Sequence, residues 1–243
     1  MSMKSVLVTG ADRGLGLSLC KEYLARGYKV FAGKYLEDYT LLEDLREKDS
    51  NLHIVLLDAD SRDSISAARD IVSTETGGTL DVLVSNHALM GKVNCMLRET
   101  PMDIDAVWRS FSVNALGAAR LVEYFLPLMD KRGMKRLCFV SSEVSCVTLM
   151  RHRNGDELPY PMSKSAMNMA VRIMFNQLYP QGYSFRLYHP GWMKRVMPDG
   201  SRSEEAMYDP DFIGAHAIEY FEANLSDEHR LVMYDYLSQE WPF

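Results

Sequence analysis

Thr9-Gly10-Ala11-Asp12-Arg13-Gly14-Leu15-Gly16 decides the fold of this chain, because it joins an apolar run, Val6–Val8, to a segment of helical periodicity, Leu15–Arg26. Glycines at such a turn permit positive φ, and they let backbone N–H groups approach a pyrophosphate at the positive end of a helix dipole. The spacing is Gly-x-x-x-Gly-x-Gly rather than the Gly-x-Gly-x-x-Gly of longer dehydrogenases. A glycine-rich turn of this kind is either a phosphate cradle or merely a tight turn. Its place at the first strand–helix crossover favours the cradle, with Thr9, Gly10, Asp12, Arg13, Gly14, Leu15 and Gly16 as its residues.

Outward from this turn the pattern repeats. Short apolar runs at Val30–Ala32, Ile54–Leu57, Val82–Val84, Leu137–Val140 and Phe185–Tyr188 have the length of buried strands. Between them lie helical segments: Tyr39–Lys48, Ser64–Thr74, Ile104–Met129 with a break near Asn114, Ser163–Leu178 and, after the last run, Phe212–Ala223. A final run, Leu231–Tyr234, adds an edge strand. Right-handed crossovers then put helices on both faces of one mostly parallel sheet, a doubly wound α/β fold of Rossmann type. No stretch has the composition of a linker, so residues 1–243 are expected to form a single domain. The least patterned stretches, Met150–Leu158 and Trp192–Asp211, are the natural loops over a site.

Composition narrows the function classes. A net charge of −6 without a basic cluster argues against a nucleic-acid partner. No apolar run approaches the ~18 residues of a membrane span, and the N-terminus passes directly into strand-like sequence, so the expectation is a cytoplasmic protein without membrane association. Cys20, Cys95, Cys138 and Cys146 show neither Cys-x-x-Cys spacing nor a neighbouring His cluster, which predicts reduced thiols and no metal site.

The second informative stretch is Tyr160-Pro161-Met162-Ser163-Lys164. On a helix, residues four apart share a face, so the Lys164 ammonium can act on the Tyr160 phenol. An unperturbed phenol, pKa about 10, is a poor proton donor at neutral pH, and a nearby cation draws it toward the working range. At the adenine end the second strand closes with Phe31-Ala32-Gly33-Lys34-Tyr35, offering no carboxylate to a ribose hydroxyl. Lys34 and Arg13 instead suit the 2′-phosphate of NADP, the alternative being two solvated surface cations. Asp58 suits the adenine amino group or a helix start.

With the Thr9–Gly16 turn, Asp58, Ser85-Asn86-His87-Ala88, Asn114, Ser141-Ser142, Tyr160-x-x-x-Lys164 and Pro190-Gly191 in order, the chain resembles the short-chain dehydrogenase/reductase family over nearly its whole length. Arg13, His189-Pro190-Gly191-Trp192 and the ending Gln239–Phe243 look most like the carbonyl-reductase branch that includes the sniffer and C-factor proteins. The resemblance implies an NADP(H)-dependent oxidoreductase that reduces a ketone or aldehyde, or oxidises the alcohol. It implies Tyr160 as general acid/base, Lys164 lowering its pKa and holding the nicotinamide ribose, Ser142 polarising the substrate oxygen, and Asn114 holding a water that links Lys164 to solvent. Asn86, Pro190 and Gly191 join the cofactor-binding set. Family members often associate as homodimers or homotetramers through the Ile104–Met129 and Ser163–Leu178 helices.

Three departures stand out. His87 and Ala88 occupy positions where the family usually has Ala and Gly, and Arg195 falls where a Thr commonly contacts the nicotinamide amide. His87 reads as a turn or packing histidine, with a catalytic role as the alternative. A longer interval before Tyr160, around residues 150–157, reads as an exposed turn or a substrate-entrance lip, and it makes Ser145 a rival to Ser142. The competing function is a cofactor-binding sensor or regulatory protein whose turnover has been suppressed.

Overall fold

The structure is a computed structural model, and it describes residues 3–90, 101–150 and 158–243. Eight strands form one sheet in the order β3-β2-β1-β4-β5-β6-β7-β8. They are β1 (Ser5–Val8), β2 (Lys29–Lys34), β3 (Leu52–Leu56), β4 (Val82–Ser85), β5 (Arg136–Val140), β6 (Ser184–His189), β7 (Met233–Asp235) and β8 (Glu240–Trp241). All neighbours are parallel except β7 and β8. β1, β4 and β5 are buried at every position, which explains why they read as unbroken apolar runs: helices cover both faces.

The helices are α1 (Gly14–Ala25), α2 (Leu41–Arg46), α3 (Arg62–Thr76), α4 (Ile104–Phe111), α5 (Gly117–Met129), α6 (Pro159–Leu178) and α7 (Pro210–Glu222). Their starts carry the expected chemistry. Ser61, Asp103 and Asp209 cap α3, α4 and α7 with side-chain oxygens, and proline opens α6 and α7, where its missing N–H costs nothing. One apolar cluster joins α3, α5 and α6 to one face of the sheet, and a second joins α1, α2 and α7 to the other. Among the described residues no helix is long and apolar enough to cross a membrane.

The doubly wound α/β reading holds, with three local differences. The break near Asn114 is a π-helical turn, Ser112–Leu116, between α4 and α5. α6 starts four residues before the expected Ser163, so Tyr160 lies in its first turn. The run read as an edge strand is interior: β7 pairs with β6, and the edge is the two-residue antiparallel β8. β1 and β4 are neighbours although β2 and β3 lie beyond β1, so the chain reverses direction there, and at such a switch point the strand ends open into a crevice.

Candidate active site

The glycine turn leaves β1 at this crevice. Gly10 and Gly14 take positive φ, +60° and +58°, and the space a Gly14 side chain would enter is open. Arg13, at the N-cap of α1, makes no side-chain cap, and no acidic residue sits in the helix's first turn. A concave backbone with an uncapped helix start fits the pyrophosphate of a dinucleotide. Asn86, just after β4, fixes the turn from beneath: its amide donates to the Thr9 and Gly10 carbonyl oxygens, each at 3.0 Å, and its own N–H donates to Thr9 Oγ1 at 3.0 Å. Leu15 is buried below. Gly16 has no room to grow, since a Cβ there would collide with the Gly10 carbonyl oxygen and stand 2.6 Å from Asn86 Nδ2. Gly16→Ala is expected to lower stability by about 1–3 kcal/mol, the usual cost of overpacking; thermal melts of the two proteins check it.

At the adenine end Asp12 is buried and accepts the Tyr35 and Leu36 N–H groups, both at 2.7 Å, so it shapes the loop after β2. Lys34 and Arg13 do lie at this end, and both have partners. Arg13 donates to Tyr39 Oη at 2.6 Å and to the Val196 carbonyl at 3.2 Å, with its guanidinium 4.9 Å from the Tyr39 ring centre. Lys34 pairs with Glu43 at 2.7 Å. The sequence placed no carboxylate at the end of β2, but α2 folds one back. Burial works against ionisation of Glu43, yet the Lys34 ammonium holds its carboxyl below the usual range. Its second oxygen, Oε2, is buried without a hydrogen-bond partner. Asp58 accepts the Asp60 N–H at 2.8 Å and is not the cap of α3, which is Ser61.

The reactive end assembles around α6. Lys164 is 1 % exposed, and its ammonium donates to the carbonyl of Val140, the last residue of β5, at 2.8 Å. The same nitrogen stands 5.9 Å from the Tyr160 ring centre. Burial alone pulls the Lys164 pKa from 10.5 down to about 7. Val140 lies two residues before Ser142, so this bond gathers Tyr160, Lys164 and the end of β5 at one place. Ser142 is half-buried, and among the described residues its Oγ accepts a long 3.4 Å contact from the Val144 N–H. Ser145 is the opposite case. It is buried, donates to the Ser142 carbonyl at 2.6 Å, accepts from Asn168 at 2.8 Å, and so is committed to holding the loop.

Asn114 is 1 % exposed in the π turn. Its Oδ1 accepts the Leu89 N–H at 2.7 Å, while Nδ2 donates to the Leu89 carbonyl at 3.0 Å and to Ser163 Oγ at 2.8 Å. The side chain clamps the loop after β4 to α6. Ser163 passes the connection on by donating to the Tyr160 carbonyl at 2.8 Å. Ser163 was not singled out from sequence, although its place between Tyr160 and Lys164 was the available signal.

His189 is a second residue the sequence reading did not weigh. Its Nδ1 accepts the N–H groups of Glu143 at 3.1 Å and Gly191 at 3.3 Å, tying the loop that follows Ser142 to the Pro190-Gly191 turn. Pro190 is buried, and Gly191 takes φ +73° where a Cβ would come 2.7 Å from the Tyr236 ring. Arg195 is exposed and pairs with Glu205. Cys95 and the 151–157 part of the expected lip lie outside the described residues; Cys20, Cys138 and Cys146 are buried free thiols.

Residues 4–206 match the profile of the short chain dehydrogenases. The chain belongs to the short-chain dehydrogenase family. An uncharacterised oxidoreductase of Schizosaccharomyces pombe is 30% identical over 240 residues, spanning 98% of this chain and 92% of the relative. The C-signal protein of Myxococcus xanthus is 32% identical over 168 residues, 68% of this chain and 94% of the relative. Among solved structures, the NADPH-bound carbonyl reductase from chicken fatty liver superposes with a TM-score of 0.87 at 25% identity, covering 100% of both chains. The carbonyl reductase Sniffer of D. melanogaster superposes at 0.85 with 23% identity, again over 100% of both, and shares the fold. The carbonyl-reductase branch suggested by Arg13 and the Gln239–Phe243 ending is therefore represented among this chain's neighbours.

Proposed function

We propose that the protein is an NADP(H)-preferring carbonyl reductase, acting on a ketone or aldehyde with Tyr160 as general acid. The observation that carries this is the buried Lys164, held at the end of β5 beside the Tyr160 ring. A lysine ammonium taken out of water has few reasons to persist unless its charge is used. Bound NADPH supplies a hydride, and the chain's residues supply placement and a proton. Tyr160 gives its phenolic proton to the carbonyl oxygen, and Lys164 stabilises the phenolate left behind. Ser142, whose hydroxyl is less committed than that of Ser145, hydrogen-bonds the same oxygen. The Asn114–Ser163–Tyr160 chain of hydrogen bonds holds the start of α6 in place while this occurs. Turnover of a panel of ketones and aldehydes with NADPH tests the reading. NADPH binding without turnover of any of them would favour the regulatory alternative.

The cofactor preference rests on Arg13 and Lys34, supported by the NADPH-bound neighbour. Glu43 competes with a 2′-phosphate for Lys34. Replacing Arg13 and Lys34 by Ala is expected to remove most of the discrimination between NADPH and NADH. Glu43→Gln is expected to widen it by roughly twofold to fivefold, the scale of a partly exposed ion pair. Fluorescence titrations with both cofactors read these changes, and equal affinities in the unmodified chain would end the NADP assignment.

A further inference from the structure

His87 stands where the phosphate-binding turn, the end of β4 and the π turn meet. Its Nδ1 lies 2.8 Å from Thr9 Oγ1 and its Nε2 lies 3.0 Å from the Val113 carbonyl oxygen. A carbonyl only accepts, so Nε2 carries a proton. In the neutral ring Nδ1 accepts from the Thr9 hydroxyl, whose one proton also lies within reach of the Val84 carbonyl at 3.2 Å and whose oxygen receives the Asn86 and His87 N–H groups. Burial, together with the nearby Lys164 charge, draws the imidazole pKa down to about 4 against the pull of the Val113 bond, consistent with one proton on the ring.

The π turn explains why a donor is useful at this point. In an α-helix the Gly117 N–H would reach the Val113 carbonyl, four residues back; here it reaches Ser112, five back. The Val113 carbonyl is released from that bond and receives the imidazole N–H. Gly117 makes space for the ring, and Gly10 for the backbone that carries it. A Cβ at Gly117 would come 2.9 Å from His87 Nε2, and one at Gly10 would come 2.8 Å from His87 Cα.

We propose that His87 is a positioning residue, a two-ended strut that holds the π turn against the phosphate-binding turn and thereby fixes Asn114 and the start of α6. Cofactor seating at Thr9–Gly16 and proton-transfer geometry at Tyr160 are then joined through one side chain. The kinetic part rests on the reductase reading above; the structural part does not.

Two variants of the full chain separate hydrogen bonding from shape. His87→Gln retains an N–H for Val113 and an oxygen for the Thr9 hydroxyl, whereas His87→Phe fills the space with neither. Hydrogen exchange over residues 112–117 is expected to quicken about fivefold to tenfold in the Phe variant and to stay within about twofold in the Gln variant, as the loss of the bond to the Val113 carbonyl implies. With NADPH and a carbonyl substrate, kcat should fall at least about tenfold for Phe while the carbonyl KM changes less than about threefold, with Gln restoring kcat. Unchanged exchange in the Phe variant, or equal loosening in the Gln variant, overturns the strut. Should the Phe variant not fold, Gln decides alone: protection like that of the unmodified chain supports the proposal, and its loss overturns it. An unmodified chain that turns over no carbonyl would sink the reductase reading, while the exchange measurement still judges His87.

Discussion

Tyr160→Phe is expected to reduce carbonyl turnover by about 10²–10⁴-fold, the contribution of a positioned general acid, while leaving the fold and NADPH binding intact. The substitution removes one oxygen and keeps the ring that stands near the Lys164 ammonium. It also keeps one link of the local framework, because Ser163 donates to the Tyr160 backbone carbonyl. Lost activity with an unchanged melting temperature and unchanged NADPH affinity is attributable to chemistry. The measurements are steady-state kinetics, an NADPH titration and a thermal melt on the same preparation. A Phe variant that turns over its substrate at the unmodified rate from about pH 6 to 9, where a lysine-tuned phenol operates, would show that the proton comes from elsewhere.

The parts of this site that were legible in the sequence are those whose chemistry is local. The Thr9–Gly16 turn is readable because only glycine accepts positive φ cheaply, as Gly10 and Gly14 do. The strands are readable because a sheet covered on both faces leaves no polar alternation, and Tyr160 and Lys164 because helical spacing alone puts them on one face. What remained hidden depends on partners far apart in the chain. Lys34 looked like a free cation at a strand end, and nothing in Phe31–Tyr35 announces that α2 returns Glu43 to it. Arg13 looked available to a phosphate, but it also holds the Val196 carbonyl, which couples the glycine turn to the loop after β6. The break at Asn114 was visible as a polar residue in an apolar helix. Its π geometry was not, because its released carbonyl is served by His87, 26 residues earlier.

This pattern bears on the departures from family habit. Seen in sequence, His87 and Arg195 look like two changes of the same kind near the nicotinamide. In the structure they differ. The Arg195 side chain is directed to Glu205 at the surface, whereas His87 is bonded at both ring nitrogens inside the crevice. Restoring Ala at 87 removes two hydrogen bonds, so it is not a simple return to a smaller residue.

Lys164→Met is expected to stabilise the protein and to inactivate it. The ammonium is buried, and its pKa of about 7 in the folded chain lies well below the 10.5 of an ordinary lysine. Between those values the unfolded chain binds more protons than the folded one, so stability rises with pH. The cost of burying the charge is therefore fully present below about pH 7 and gone above about 10.5. Methionine keeps an unbranched side chain without that cost; the lost bond to the Val140 carbonyl returns only about 1 kcal/mol. The net gain should be about 2–4 kcal/mol at pH 6, shrinking as the pH approaches 10. Under the proposed mechanism, in which this charge tunes Tyr160, turnover should fall by at least about 10²-fold. Denaturant midpoints for the two proteins at pH 6, 8 and 9.5, interpreted through equal m-values, give the comparison. A Met variant less stable than the unmodified chain at pH 6, or a stability difference that does not change with pH, would mean that Lys164 carries its charge without strain. The role of that charge at Tyr160 would then be judged by the turnover of the Met variant alone.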